Sequence, residues 1–266
     1  MKRVLLFSGG LGSYAAAKKV VRLHGTDGLT LLFTDTMMEH PDLYRFLDDA
    51  AKDVFAGNPV NLVRIMDGRN PWELFNDVNF IGNSKVDICS RVLKRELADK
   101  WLDDNCDRSD TIIYIGVDWS EAHRYDSGDR GAKHRYAKNG WVLEAPLCEP
   151  PYENRLSTLI LLEKSGIELP QLYKEGFPHN NCGGFCIKAG ISQFLLLLRT
   201  NPVSYAYHEQ QEELMRKKLG DVSILSQKLK NKRVPLTLKQ LRLRTMEESA
   251  LFPTDEWGGC GCFVDS

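Results

Sequence analysis

Short apolar runs alternate with longer amphipathic stretches along the first half of the chain. Residues 4–7 are apolar and end in a run of small residues, and 13–23 then carry helical periodicity. A second apolar run, 29–33, ends in Thr34-Asp35-Thr36, and 42–55 again repeats apolar positions at helical spacing. The pattern continues with a strand-like run at 60–65, an amphipathic helix at 89–102, a strand at 111–117 and a fifth strand at 141–143. Strands separated by helices predict an α/β fold: a parallel twisted sheet with helices on both faces. After Pro150 the pattern changes. Residues 156–164 read as helix, a loop bearing Pro and Gly runs to Cys182, and beyond Gly190 the chain is mostly helical with breaks near Pro202, Gly220 and Pro235. The expected division is an α/β domain over 1–180 and a cysteine-containing, basic helical region over 181–266, with the change of pattern falling between 150 and 180.

A length of 266 residues suits one large α/β domain with or without a small appendage, and 42% hydrophobic content is enough to bury a core. The net charge of −1 is uninformative, because the charge is unevenly spread. Between 215 and 245 there are ten Lys and Arg against the single acid Asp221, so this segment is a candidate contact for a polyanion such as tRNA or DNA. Little aromatic interleaving accompanies it, so base stacking is not expected. Met1-Lys2-Arg3 leads straight into a strand-like run and the apolar stretch at 194–198 is far too short to span a bilayer, which predicts a cytoplasmic protein with no membrane contact. Seven cysteines, two pairs of them closely spaced, argue against a disulfide framework.

The first apolar run enters "SGGLGS", Ser8 to Ser13. A strand that passes through small residues into a helix exposes backbone N–H groups at the helix N-terminus, and these with the helix dipole form an anion site, normally for phosphate. Glycines let the backbone approach the anion, and the serines add hydroxyl donors. Neither the Walker lysine nor Gly-x-Gly-x-x-Gly is present.

Ser8-Gly9-Gly10-Leu11-Gly12-Ser13 resembles the Ser-Gly-Gly-x-Asp-Ser loop of the PP-loop (adenine nucleotide α-hydrolase) superfamily. "FTDTMMEHPDLYRF" is similar to the segment after the second strand of the phosphoadenylyl-sulfate (PAPS) reductase branch. "ICSRVLKREL" resembles that branch's cysteine-then-lysine helix start, and "ELPQLYKEGFPHNNCGGFC" its Pro-x-Leu-Tyr segment with following cysteines. The ordered matches cover about residues 1–190. The resemblance implies an adenine nucleotide whose phosphates or sulfate lie on Ser8, Gly9, Gly10, Gly12 and Ser13, with Asp35 and Thr36 near the nucleoside; a helix N-cap is the alternative role for Asp35. Members that cleave ATP usually carry an acid where this chain has Gly12, so ATP cleavage with Mg2+ is less secure than anion binding.

Further along, Arg91 and Lys94 are spaced to share a helix face and to hold a sulfate or phosphate, with a solvated face as the alternative. In "GVDWSEAHR" the family has a comparable Gly-x-(Arg/Asp)-x-x-Glu-x-x-Arg segment, so Asp118 and Glu121 are candidates to bind a metal or orient a base, and Arg124 to neutralise anionic charge. Arg130, Lys133, His134 and Arg135 follow in a loop that attracts phosphate or is simply soluble. Cys182 and Cys186 with Cys260 and Cys262 could converge on one four-thiolate site, for Zn2+ or a 4Fe-4S cluster. The competing role for Cys260 is a redox nucleophile in the tail, passing its oxidation to Cys262.

The reading with most support is ATP-dependent adenylation of a second substrate, for sulfur transfer or nucleic-acid modification. PAPS-reductase-like reduction of an adenylyl sulfate and non-catalytic nucleotide binding are the alternatives. Whether the chain forms a homodimer is open.

Overall fold

The computed structural model describes residues 1–83, 86–230 and 232–247. Its first part is the expected parallel sheet. Strands β1 (Lys2–Leu6), β2 (Leu29–Asp35), β3 (Leu62–Met66), β4 (Thr111–Tyr114) and β5 (Val142–Glu144) lie in the order β3-β2-β1-β4-β5, every neighbouring pair parallel. Helices α1 (Leu11–His24) and α2 (Pro41–Phe55) cover one face.

The alternation along each strand shows why a continuous apolar run was needed. Leu5 and Phe7 of the first strand and its exit, with Leu31 and Phe33, pack beneath α1 and α2. Val4, Leu6 and Leu32 point the other way, with Ile113 and Ile115, against Ala98, Leu102 and Tyr136. Both faces of the central strands β1, β2 and β4 are buried, as expected in a parallel sheet, while the edge strands β3 and β5 are partly exposed. The small side chains of Ala15, Ala16 and Ala17 let α1 lie near the sheet.

A second core joins Trp72 and Phe75 of α3 (Pro71–Val78) to Phe177, Phe185 and the later helices Ile191–Thr200 and Pro202–Leu219. α3 opens with a capping box in which Asn70 accepts from the Glu73 N–H and the Glu73 carboxylate accepts from the Asn70 N–H.

Two elements differ from the periodicity. Residues 89–102 are not one regular helix: Ile88–Ser90 leads into a π-helical turn, Arg91–Glu96, before Leu97–Asn105 returns to α geometry. Within the mostly helical carboxyl-terminal region there is also an antiparallel hairpin, β6 (Leu225–Leu229) and β7 (Lys232–Leu236), before the final described helix Leu238–Glu247. Pro235 bars a helix there, and Leu225, Val234 and Leu236 share the inward face. Among the described residues no helix is long and apolar enough to cross a membrane.

Candidate functional site

β1 is the middle strand, and the chain leaves it toward β2 on one side while β4 fills the other. That reversal opens a crevice beyond the carboxyl ends of β1 and β4, where open α/β sheets bind ligands. A cavity of about 250 Å³ occupies it. One wall is the loop after β1 (Ser8, Gly10, Gly12, Ser13), and the opposite wall is the exit of β4 (Gly116, Asp118, Glu121, Arg124). Residues from 153 to 181 close the remaining side.

The loop has the features of an anion cradle. Gly9 sits at φ +73°, and Gly10 is the extended N-cap of α1 with no side-chain capping bond. The first turn of α1 carries no acid, so its positive end is not neutralised from within. The Ser13 hydroxyl donates to the Gly10 carbonyl at 2.9 Å and lies 3.3 Å from the Ser8 hydroxyl.

Gly12 has a packing reason. A Cβ there would stand 2.5 Å from the Gly116 carbonyl oxygen, and one at Gly116 would stand 2.5 Å from the Ser13 nitrogen. Two glycines let the α1 turn and the β4 exit touch backbone to backbone. This is the close approach that puts Arg124 and Asp118 opposite the loop.

Two residues from the distant segment around 173–181 brace the cradle, and local spacing in the sequence did not single them out. The Leu11 N–H donates to the Tyr173 hydroxyl at 3.2 Å, so a phenol oxygen occupies one of the orphan donors of α1. The Asn180 amide donates to the Gly9 carbonyl at 2.8 Å, while its buried Oδ1 has no hydrogen-bond partner among the described residues. Arg155, the first residue of the helix Arg155–Lys164, lies over the Tyr173 ring at 5.1 Å and lines the same cavity. The Pro-x-Leu-Tyr segment and its continuation contain Tyr173 and Asn180, but only the fold shows what they touch.

Across the cavity, Glu121 accepts from Arg124 at 2.7 Å and fixes the guanidinium, which is 11% exposed. Asp118 caps the short turn Trp119–Glu121 by accepting from the Ser120 N–H at 2.8 Å and hydroxyl at 2.6 Å. His123 is exposed. The following basic stretch, expected as a loop, is a helix from Ala132 to Lys138, in which Lys133 pairs with Asp126 and Arg135 with Asp99; Arg130 precedes it and is exposed.

The remaining site residues expected from the sequence fall elsewhere. Asp35 accepts from the Met37 N–H at 2.7 Å and from the Tyr44 hydroxyl at 3.0 Å; the N-cap of α2 is His40, not Asp35. Arg91 and Lys94 do not share a face. Arg91 is mostly exposed and faces Glu96, whereas Lys94 is buried 3.5 Å from Glu39, because the π turn displaces the three-residue spacing. Glu39 is a buried hub: it also accepts from the Thr36 hydroxyl at 3.0 Å and from the Cys182 N–H.

Thr36 and Lys94 line a second, smaller cavity of about 20 Å³, which shares Asn181 with the first. Cys89, Cys182 and Cys186 are all on its wall. Burial pushes the Cys89 thiol up to about 12, with Cys186 adding to the rise, so it is held as a neutral thiol. In the sequence Cys89 stands out only as the start of a motif. Cys260 and Cys262 lie outside the described residues, and among the described residues no cluster of three or more His, Cys, Asp or Glu side chains is arranged to hold a metal ion.

No family model matches the chain, and no curated protein matches it. Among solved structures, a similar one is a phosphoadenylyl-sulfate (PAPS) reductase from Candida auris in a phosphate complex, 13% identical, covering 66% of this chain and 77% of that one, with a TM-score of 0.43. At that level the likeness decides nothing about the chemistry of this site.

Proposed function

We propose that the crevice between β1 and β4 binds the phosphate end of an adenine nucleotide, and that the chain is a PP-loop enzyme that adenylates a second substrate. The observation that carries nucleotide binding is the uncapped, acid-free start of α1 opening onto a cavity whose far wall presents Arg124. Backbone N–H groups of the loop and the hydroxyls of Ser8 and Ser13 would hold phosphoryl oxygens. Arg124, oriented by Glu121, would offset charge that develops as a phosphate leaves. If the ligand is ATP, Asp118 and Glu121 are the carboxylates on this wall that would help hold Mg2+, which would neutralise phosphate charge. Sulfur transfer and nucleic-acid modification are the downstream chemistries this reading covers.

One observation favours a second reading, reduction of an adenylyl sulfate. The close approach of Gly116 leaves no room at position 12 for the acid that would help magnesium, so pyrophosphate cleavage has less support at this site than anion binding. In that reading the Cys260 thiolate would attack the sulfonyl sulfur and displace the adenosine phosphate, and a second thiol, Cys262 or the added reductant, would then displace sulfite from the S-sulfocysteine as a disulfide forms.

Incubation with ATP and with adenylyl sulfate separates the readings. Pyrophosphate or AMP release, lost in Arg124→Ala, supports adenylation. Sulfite release in the presence of a thiol reductant, lost in Cys260→Ser, supports the reductase. Nucleotide binding with neither product leaves a binding protein, and no binding ends the proposal. The four-thiolate reading of Cys182, Cys186, Cys260 and Cys262 has its own test. Anaerobically purified protein should carry zinc or iron with sulfide, lost in Cys260→Ser/Cys262→Ser; metal-free protein with reactive tail thiols would exclude it.

A further inference from the structure

Eight of the ten basic residues between 215 and 245 fall into two groups, while Lys217 and Lys239 are exposed on helices. Arg216 pairs with Glu213 and Asp221, Arg242 with Glu209, Arg244 donates to Gln227, and Lys218 to Asn76. These hold the carboxyl-terminal elements together. Lys228, Lys230, Lys232 and Arg233 are different: all four are exposed on the β6–β7 hairpin, and none enters an ion pair among the described residues.

Their placement is unfavourable for the isolated protein. Lys228 is directly opposite Arg233 in the antiparallel register, a like-charge pair on one face. Lys230 follows in the turn that closes the hairpin, at φ +45°, and adds a third exposed cation at the same end. From Val222 to Met246 the sequence has seven Lys and Arg and no acid to offset them.

Beside this face lies an open groove of about 500 Å³. Arg233 lies on its wall and belongs to both features. Val222, Val234 and Pro235 form apolar lining, and Asn79 and Phe80 come in from the end of α3. Phe80 is 36% exposed there, an aromatic ring brought to the basic segment from about 150 residues away in sequence. Asp221, on the rim, is engaged by Arg216.

We propose that this hairpin and groove bind single-stranded nucleic acid, with the backbone along Lys228, Lys230 and Arg233 and an unstacked base against Phe80. Lys228 and Arg233 face each other across the ladder with Cβ atoms about 5 Å apart, and Lys230 stands in the adjoining turn, so the three cations are grouped closely enough to follow one short stretch of phosphates. A cationic strand with an aromatic platform at its side is the arrangement that tracks a backbone and stacks a base without reading sequence. A membrane surface would use the charges but not a groove, and a duplex would keep its bases stacked away from Phe80. The proposal is independent of the nucleotide reading, since none of these residues lines the β1–β4 crevice.

The test uses the full chain and fluorescently labelled 20-nucleotide single strands, of DNA and of RNA, with the matching duplex and anionic phosphatidylserine vesicles as competitors. The expected result is salt-dependent binding to at least one single strand. The variant Lys228→Ala/Lys230→Ala/Arg233→Ala should weaken it at least about 10-fold and lower the salt slope by about two, near 0.7 for each phosphate no longer neutralised. Phe80→Ala should weaken single-strand binding about 5-fold or more while leaving the salt slope unchanged, and Phe80→Trp should restore it. Melting curves of each variant confirm that it folds. Absence of binding at low salt, an unchanged affinity in the triple variant, equal binding to duplex or vesicles, or a Phe80→Ala protein with full affinity would each overturn the proposal.

Discussion

A Cβ at position 12 would lie 2.5 Å from the Gly116 carbonyl oxygen, and backbone cannot swing aside as a flexible side chain does. Gly12→Asp therefore should not install a magnesium ligand; it should push the α1 turn away from the β4 exit. Overpacking of this kind costs about 1–3 kcal/mol. The expected outcome is a lower Tm together with weaker nucleotide binding, and Gly116→Ala should produce the same pair of effects. Since both substitutions force apart the same two stretches of backbone, the double variant should lose less than the sum of the two. A Gly12→Asp protein with unchanged Tm and tighter ATP–Mg2+ binding would show that the acid is tolerated and that the departure at this position is functional. The glycine itself was plain in the sequence. Its cause was not, because Gly116 is about a hundred residues away and looks like any glycine after a strand.

At the scale of one element, the helix Pro202–Leu219 carries two buried titratable groups four residues apart whose environments push them in opposite directions. His208 is stacked on Phe185 at 3.7 Å and accepts from the Trp72 indole N–H at 3.0 Å; burial lowers its pKa from 6.5 to about 3. Glu212 accepts from the Ile224 N–H at 3.0 Å and the Leu238 N–H at 2.6 Å, tying the helix to both ends of the hairpin, and burial raises its pKa from 4.5 to about 7. The folded state thus rejects a proton at His208, so that contribution to stability is present above pH 6.5 and is lost as the pH falls toward 3. It retains a proton at Glu212, so that contribution is present below 4.5 and is lost as the pH rises through 7. Between 4.5 and 6.5 the two slopes oppose each other. Relative to the unsubstituted protein, Glu212→Gln should make stability climb more steeply with pH in that window, and His208→Gln should make it fall. Denaturant unfolding at several pH values reads both, and parallel curves for all three proteins would refute the assignment. The hairpin that Glu212 holds was missed because apolar positions in 215–245 are sparse and the many Lys and Arg suit a helix as well as a strand. The π turn misled for a related reason: it shifts Lys94 inward without altering composition, so a face counted at three-residue spacing puts Arg91 on the wrong side.

Across the whole molecule, what sequence pattern revealed best is what depends on short range. Apolar runs marked the central strands because both faces of the sheet are buried there, shorter runs marked the half-exposed edge strands β3 and β5, and small residues after the first run located the loop that enters α1. What it could not reveal is the meeting of distant segments: Tyr173 on the Leu11 N–H, Asn180 on the Gly9 carbonyl, Glu39 beneath Lys94 and the loop at Cys182. Those interactions make the crevice depend on the segment 170–182, and this has a measurable consequence. A ligand that binds only the folded crevice stabilises it by mass action, about 2.7 kcal/mol at a hundred times its Kd. Pyrophosphate alone should raise Tm if the loop is the anchor, and ATP or adenylyl sulfate should raise it further because the nucleoside adds interactions of its own. Tyr173→Phe frees the Leu11 N–H for the anion, so it should lower the Tm of the free protein while keeping or enlarging the shift caused by pyrophosphate. Arg124→Ala removes the cation from the far wall together with its pair to Glu121, so it should lower the free Tm as well as shrink the shift. If Tyr173→Phe instead abolished the pyrophosphate response, the phenol would be a donor to the bound anion rather than a stand-in for it, and the loop would be half of a site completed by residues 170–182.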